Sequence, residues 1–214
     1  MILFILASCS TVSDSASSGT DDGASLTALI RDIVSSEGEK RLTKADLETA
    51  LDSSYPVYSE YIPSYDEIKS RYLSSLLVVV SEGMDEIFSS TVLSAGEEIG
   101  SNPAPYISGE LVTPSLKAAT AEILTENLTQ YLLSRNGELE EAFTESRDTF
   151  SRVKKAYAAL SAVSKGVVLP EASPAAPQRL ASAAVERYFS ILEEEEREKR
   201  RNPLYGGRSL YLEN

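Results

Sequence analysis

The chain has 214 residues and is strongly acidic, with 33 acidic against 20 basic residues and a formal net charge of −13. Phosphate groups repel such a surface, so the composition argues against nucleic acid as a partner. The sequence contains no histidine, the commonest general base and transition-metal ligand. It also has no Gly-x-Ser-x-Gly elbow and no Gly-rich phosphate loop before a helix, and residues 20–23 are too short for an EF-hand loop. We therefore predict no enzyme activity, no metal and no cofactor.

The N-terminus carries the signal that predicts the location of the protein. Residues 1–8 form an apolar run that ends in small residues, which is typical of a secretory signal and its cleavage site. The run leads directly into Cys9, the only cysteine. Leu6-Ala7-Ser8-Cys9 resembles the lipobox of bacterial lipoproteins, in which the cysteine is acylated and becomes the new N-terminus. The resemblance implies an extracytoplasmic lipoprotein of the cell envelope, on the outer membrane or the periplasmic face, with lipidated Cys9 as its membrane anchor.

The signal lacks one usual feature, because no Lys or Arg precedes the apolar run. We interpret residues 1–8 as the remnant of a signal whose start codon lies upstream. The alternative is a short apolar terminus that packs on the fold, with Cys9 as an ordinary buried thiol.

The residues after Cys9 are small and polar. Such a composition buries almost nothing, so we predict that residues 9–24 form a disordered tether. A flexible coil of this length spans roughly 20 Å, enough to hold a folded body away from lipid headgroups. The remaining residues, 25–214, are predicted to form one helical domain.

Apolar residues recur at helical spacing through this domain. We interpret Gly83 and Gly100 as helix stops, and Thr43 with Asp46 as a capping box. The predicted helices cover residues 25–38, 43–52, 64–83, 84–99, 113–136, 138–164 and 177–201. The predicted fold is therefore all-α, a single-domain bundle of about seven helices.

An irregular, tyrosine-rich segment lies between the second and third predicted helices, where Pro56 and Pro63 interrupt any regular helix. The tyrosines offer an aromatic surface that could bind a sugar, a peptide or a protein partner. The alternative is that their rings cover the core and their hydroxyls face water. The candidate partner-binding residues are Tyr55, Tyr58, Tyr61 and Tyr65.

The last predicted helix ends in a highly charged stretch, residues 193–201. Its spacing pairs a glutamate with a basic residue four positions later, in the favourable orientation. The predicted pairs are Glu193–Arg197, Glu195–Lys199 and Glu196–Arg200. We interpret the stretch as a solvated helix end, and a charged docking site for a partner is the alternative.

Three separate stretches resemble a bacterial exported-protein family of unknown function. The last helix resembles that family's C-terminal helix, which carries an aromatic pair, then Glu-Glu, then Ile-Arg-x-Asp-Pro. The matching residues are Tyr188-Phe189, Glu194-Glu195 and Lys199-Arg200-Arg201-Asn202-Pro203, with Leu128-Thr-Gln-Tyr131-Leu132, Leu139, Phe143 and Ile62-Pro63 in the other two stretches. The resemblance implies a helical, exported or lipid-anchored protein and brings no chemistry with it.

We therefore expect a lipid-anchored, non-enzymatic envelope protein that binds a partner or acts as a scaffold. One alternative is a carrier that encloses a small apolar ligand in a cavity of several hundred Å³. The other is a cell-wall hydrolase that uses two carboxylates about 5–10 Å apart in one cleft.

Overall fold

A computed structural model describes residues 18–36, 42–51, 65–161 and 174–201. Over these ranges the chain forms seven helices and no strand, which confirms the predicted all-α class. The helices are α1 (Ser18–Ser36), α2 (Lys44–Glu48), α3 (Tyr65–Gly100), α4 (Ala104–Ile107), α5 (Thr113–Ser134), α6 (Asn136–Ser161) and α7 (Pro177–Arg201).

The long helix α3 is the centre of the bundle. It contacts α1, α2, α5, α6 and α7, and α5 packs against both α3 and α7. The core contains an aromatic cluster in which the Tyr188 ring meets Phe88 and Phe189 edge to face, with centroids 5.0 and 5.3 Å apart. None of the described helices is both long enough and apolar enough to cross a bilayer.

The prediction that a helix ends at Gly83 is wrong, because α3 continues through it to Gly100. Gly83 is buried, and a Cβ atom placed on it would lie 2.6 Å from side-chain carbons of both Leu128 and Tyr131 on α5. The glycine therefore marks the close approach of two helices. The predicted pair of helices merges into one of 36 residues, about 54 Å long at the usual helical rise.

Helix α1 begins at Ser18, before the predicted start at Ser25 and inside the segment predicted to be a tether. Within this additional stretch, Gly23 lies against the C-terminal end of α3. A Cβ atom on Gly23 would lie only 2.8 Å from the carbonyl oxygen of Gly100, so the two backbones touch. Residues 1–17, which include the first part of the predicted tether, lie outside the described part of the chain.

The remaining helices follow the sequence pattern, except that α2 ends at Glu48, before the predicted end near Asp52. The capping box at Thr43 is confirmed, because its N–H donates to Asp46 Oδ2 at 2.7 Å. The predicted connection between α3 and α5 contains the short helix α4 and then Gly109, whose φ of 107° suits a residue without a side chain. Helix α7 has the predicted bounds.

Candidate functional site

Most of the predicted site residues lie outside the described part of the chain. Cys9, Tyr55, Tyr58 and Tyr61 belong to that group, and Tyr65 is the first residue of α3. The lipid anchor and the tyrosine surface therefore stay predictions.

The charged end of α7 is where the structure departs most from the sequence analysis. The interpretation as a solvated helix end is wrong for one face, because Glu195, Glu196, Lys199 and Arg200 are all buried. That face is covered by the connection between α3 and α5 and by α1. Lys199 Nζ, for example, lies 2.9 Å from Asp32 Oδ2 on α1.

Two of the predicted ion pairs along α7 are confirmed, and their surroundings differ. Arg197 Nη2 lies 2.6 Å from Glu193 Oε1 on the exposed face. Arg200 Nε lies 2.8 Å from Glu196 Oε1, and both of these side chains are completely inaccessible to solvent. The same spacing thus produces one surface pair and one core pair.

The Glu196 carboxylate caps the N-terminus of α5 from a distant part of the chain. Its Oε1 accepts from the N–H of Val112, and its Oε2 accepts from the N–H and the hydroxyl of Thr113, all at 2.8 Å. No side chain of α5 itself caps this end. A carboxylate here satisfies backbone donors that the helix leaves unpaired and lies at the positive end of the helix dipole.

The Arg200 guanidinium completes this buried cluster. Besides its bond to Glu196, Nη1 donates to the carbonyl of Tyr106 at 3.1 Å and Nη2 to that of Glu110 at 3.0 Å. With the Arg200 bond, the carboxylate of Glu196 accepts four hydrogen bonds, which matches its capacity. The cluster therefore fixes the α4–α5 connection on α7 and is unsuited to acid–base catalysis.

An open cleft of about 240 Å³ lies between α3 and α6. Its deepest residues are Ile68 and Tyr72, both buried, and its rim carries Glu67, Arg71 and Glu145. Ser75, Ala142, Ser146 and Thr149 complete the lining. The cleft brings together residues from two helices that are far apart in the sequence, and sequence analysis missed it.

Tyr72 is held firmly at the base of this cleft. Its hydroxyl oxygen accepts from the N–H of Ala175 at 3.0 Å, and its ring meets Phe143 edge to face at 6.0 Å. Burial raises the pKa of the Tyr72 phenol above its ordinary value of 10.0, and the hydrogen bond from Ala175 opposes part of that rise. The phenol is therefore neutral near pH 7.

Two shallower grooves flank the N-terminal half of α7. The one against α2 measures about 660 Å³ and the one against α5 about 490 Å³, and Gln178, Ser182 and Glu186 border both. An ion pair of 2.6 Å between Lys117 and Glu186 links α5 to α7. Arg179 donates to the carbonyl of Leu51 at 2.7 Å and so holds the end of the α2 region against α7.

Among the residues that the structure describes, no group of three or more acidic, cysteine or histidine side chains is arranged to hold a metal ion. Comparison of the chain with protein-family models, with curated proteins and with solved structures finds no match.

Proposed function

We propose that this chain is a lipid-anchored, non-enzymatic protein of the cell envelope that binds or scaffolds a partner. The observation that carries the proposal is the sequence Leu6-Ala7-Ser8-Cys9, in which the only cysteine follows an apolar run and two small residues. Acyl chains on Cys9 would supply the membrane anchor, since acyl chains bind membranes through the burial of their CH₂ groups.

The non-enzymatic part of the proposal is supported by the chemistry of the buried charges. Glu196 is a completely buried carboxylate, a condition that often marks a catalytic acid. Here its oxygens accept bonds from two backbone amides, a hydroxyl and a guanidinium. The burial of this charge is explained by the packing of α7 against α5.

The anchor is tested in the native cell, with the protein expressed from its own locus and labelled with a palmitate analogue. We expect label and membrane association in the wild type and neither in Cys9→Ser. The matched control is Ser10→Ala, which replaces the residue directly after Cys9 and leaves the Cys9 thiol free to accept the acyl chain. Unlabelled wild-type protein whose mature form still carries residues 1–8 would overturn the proposal.

We propose that the partner binds the tyrosine-rich segment, through the side chains of Tyr55, Tyr58, Tyr61 and Tyr65. A photoreactive amino acid at position 58 should crosslink a defined envelope component in intact cells. The same probe at Ile123, a half-exposed position on α5, is the control for non-specific capture. Equal crosslinking at both positions would contradict a specific surface near the tyrosines.

A small-ligand carrier is the second candidate, and the α3–α6 cleft is the place on the described residues where a ligand could bind. At about 240 Å³ the cleft is smaller than the expected cavity of several hundred Å³, and it is open and partly polar. A ligand there would be small and would keep one end in water.

A further inference from the structure

We propose that the cleft between α3 and α6 binds a small organic cation, a molecule that joins a protonated amine to a short apolar group. This is the cleft named above for the ligand-carrier alternative, whose ligand class the proposal supplies. It is independent of the lipid anchor, because it involves neither Cys9 nor the tyrosines of residues 55–65. It rests on the shape, the base and the charge of the cleft.

The base of the cleft is apolar and already formed. Ile68 and Tyr72 are 7% and 2% exposed, and Ala142 beside them is partly buried. The bond from Ala175 and the contact with Phe143 hold the Tyr72 ring in place. A ligand therefore meets an ordered apolar surface and does not bear the cost of organising it.

The rim of the cleft carries a net negative charge. Glu67 and Arg71 neutralise each other in an ion pair of 2.5 Å. Glu145 adds a second carboxylate to the lining, which therefore carries one negative charge in excess. A carboxylate at the open edge favours a cation and disfavours an anion.

The remaining groups suit an ammonium donor. The hydroxyl of Thr149 donates to the Glu145 carbonyl at 2.9 Å, and its oxygen keeps lone pairs to accept from a ligand.

The volume limits the size of the ligand. Pockets for drug-sized molecules usually measure about 300–1,000 Å³, and this cleft measures about 240 Å³. The occupant is therefore a compact amine that carries one small apolar group.

The test is a titration of the isotope-labelled full chain, followed by backbone amide shifts in NMR spectra. The three probes share an aromatic ring and differ in charge: phenethylamine, 3-phenylpropionate and benzyl alcohol. We expect saturable shifts with millimolar phenethylamine, centred on Ile68, Ser75 and Ala142. Benzyl alcohol should bind more weakly at the same residues, and 3-phenylpropionate most weakly.

Variants separate a cation site from general attraction to an acidic protein. Glu145→Gln should weaken the binding of phenethylamine about two- to fivefold, the usual effect of one exposed charge pair. It should leave the affinity for benzyl alcohol unchanged. Glu141→Gln removes an exposed carboxylate one turn earlier on α6, outside the cleft. It should change the affinity for neither phenethylamine nor benzyl alcohol. Ala142→Leu fills the cleft and should abolish the shifts for every probe.

Three results would overturn the proposal. They are shifts that do not saturate, binding of 3-phenylpropionate as tight as that of phenethylamine, and equal losses in Glu145→Gln and Glu141→Gln. Circular dichroism of Ala142→Leu checks that the variant folds. The comparison of Glu145→Gln with Glu141→Gln does not depend on that variant. Failure of these tests leaves the lipid anchor untouched, because that is measured at Cys9.

Discussion

At the scale of single residues, the buried pair of Glu196 and Arg200 shows how one side chain can position a distant connection. Two charges inside a protein gain little net stability over an apolar pair, but removal of one partner leaves the other uncompensated. The four acceptor contacts of Glu196 and the three donor nitrogens of Arg200 are all used within the chain.

Substitution of Glu196 by glutamine should lower the free energy of unfolding by about 3–5 kcal/mol, because Arg200 keeps a buried charge without its counterion. Urea unfolding followed by circular dichroism measures the change. The matched control is Glu193→Gln, which breaks the exposed pair with Arg197 and should cost less than about 1 kcal/mol. Similar losses of unfolding free energy in the two variants would show that the buried pair contributes no more to stability than the exposed pair.

Tyr72 gives a prediction about pH. Burial favours the neutral phenol in the folded state, so its pKa there is above 10.0. The stability contributed by the buried neutral phenol is fully present below pH 10.0, and it is lost as the pH rises through the folded-state pKa. The stability difference between the wild type and Tyr72→Phe, measured by urea unfolding, should therefore shrink above pH 10. A difference that stays constant would contradict the assignment.

At the scale of helices, glycine contacts determine how closely the elements pack. Gly83 is the point where α3 meets α5, and Gly96 meets Ile30 of α1 in the same way, with a Cβ position 2.7 Å from its Cγ2. The pattern of apolar residues predicted helices on both sides of Gly83. It could not reveal that they are one helix, because a glycine that ends a helix and one that admits a neighbour look the same in sequence.

Replacement of Gly83 by alanine tests this interpretation. Alanine favours a helix over glycine by about 1 kcal/mol, yet its Cβ would overlap Leu128 and Tyr131. Overpacking of this kind costs about 1–3 kcal/mol, so we expect a lower melting temperature.

Gly137→Ala is the matched control, because a Cβ at that position of α6 meets nothing within 4 Å. It should stabilise the protein by about 0.5–1 kcal/mol. Stabilisation by both substitutions would rule out a close approach of α3 and α5 at Gly83.

The candidate sites show where sequence reasoning stops. Spacing along α7 predicted the pair of Glu196 with Arg200, since both lie on the same helix. It could not predict their burial, which depends on Tyr106, Glu110 and Thr113 arriving from another part of the chain. The α3–α6 cleft is invisible in sequence for the same reason, because packing alone brings Tyr72 near Glu145.

At the scale of the whole molecule, the net charge of −13 dominates the electrostatics. Like charges spread over a compact body repel one another, and unfolding relieves that repulsion. Basic residues offset it locally, as where Lys69 lies 2.6 Å from Glu48 and Lys117 the same distance from Glu186. Such exposed pairs contribute less than about 1 kcal/mol each, so they do not cancel the excess of acidic groups.

Salt should therefore stabilise this protein. An increase in ionic strength from about 0.01 M to about 0.15 M shortens the screening length from about 30 Å to about 8 Å, which suppresses long-range repulsion more than contacts of 3 Å. We expect the melting temperature to rise by several degrees over this range and then to level off. Sodium chloride and potassium chloride should act alike, because screening depends on ionic strength and not on the identity of the cation. A melting temperature that falls with either salt would mean that the exposed ion pairs outweigh the repulsion among the carboxylates.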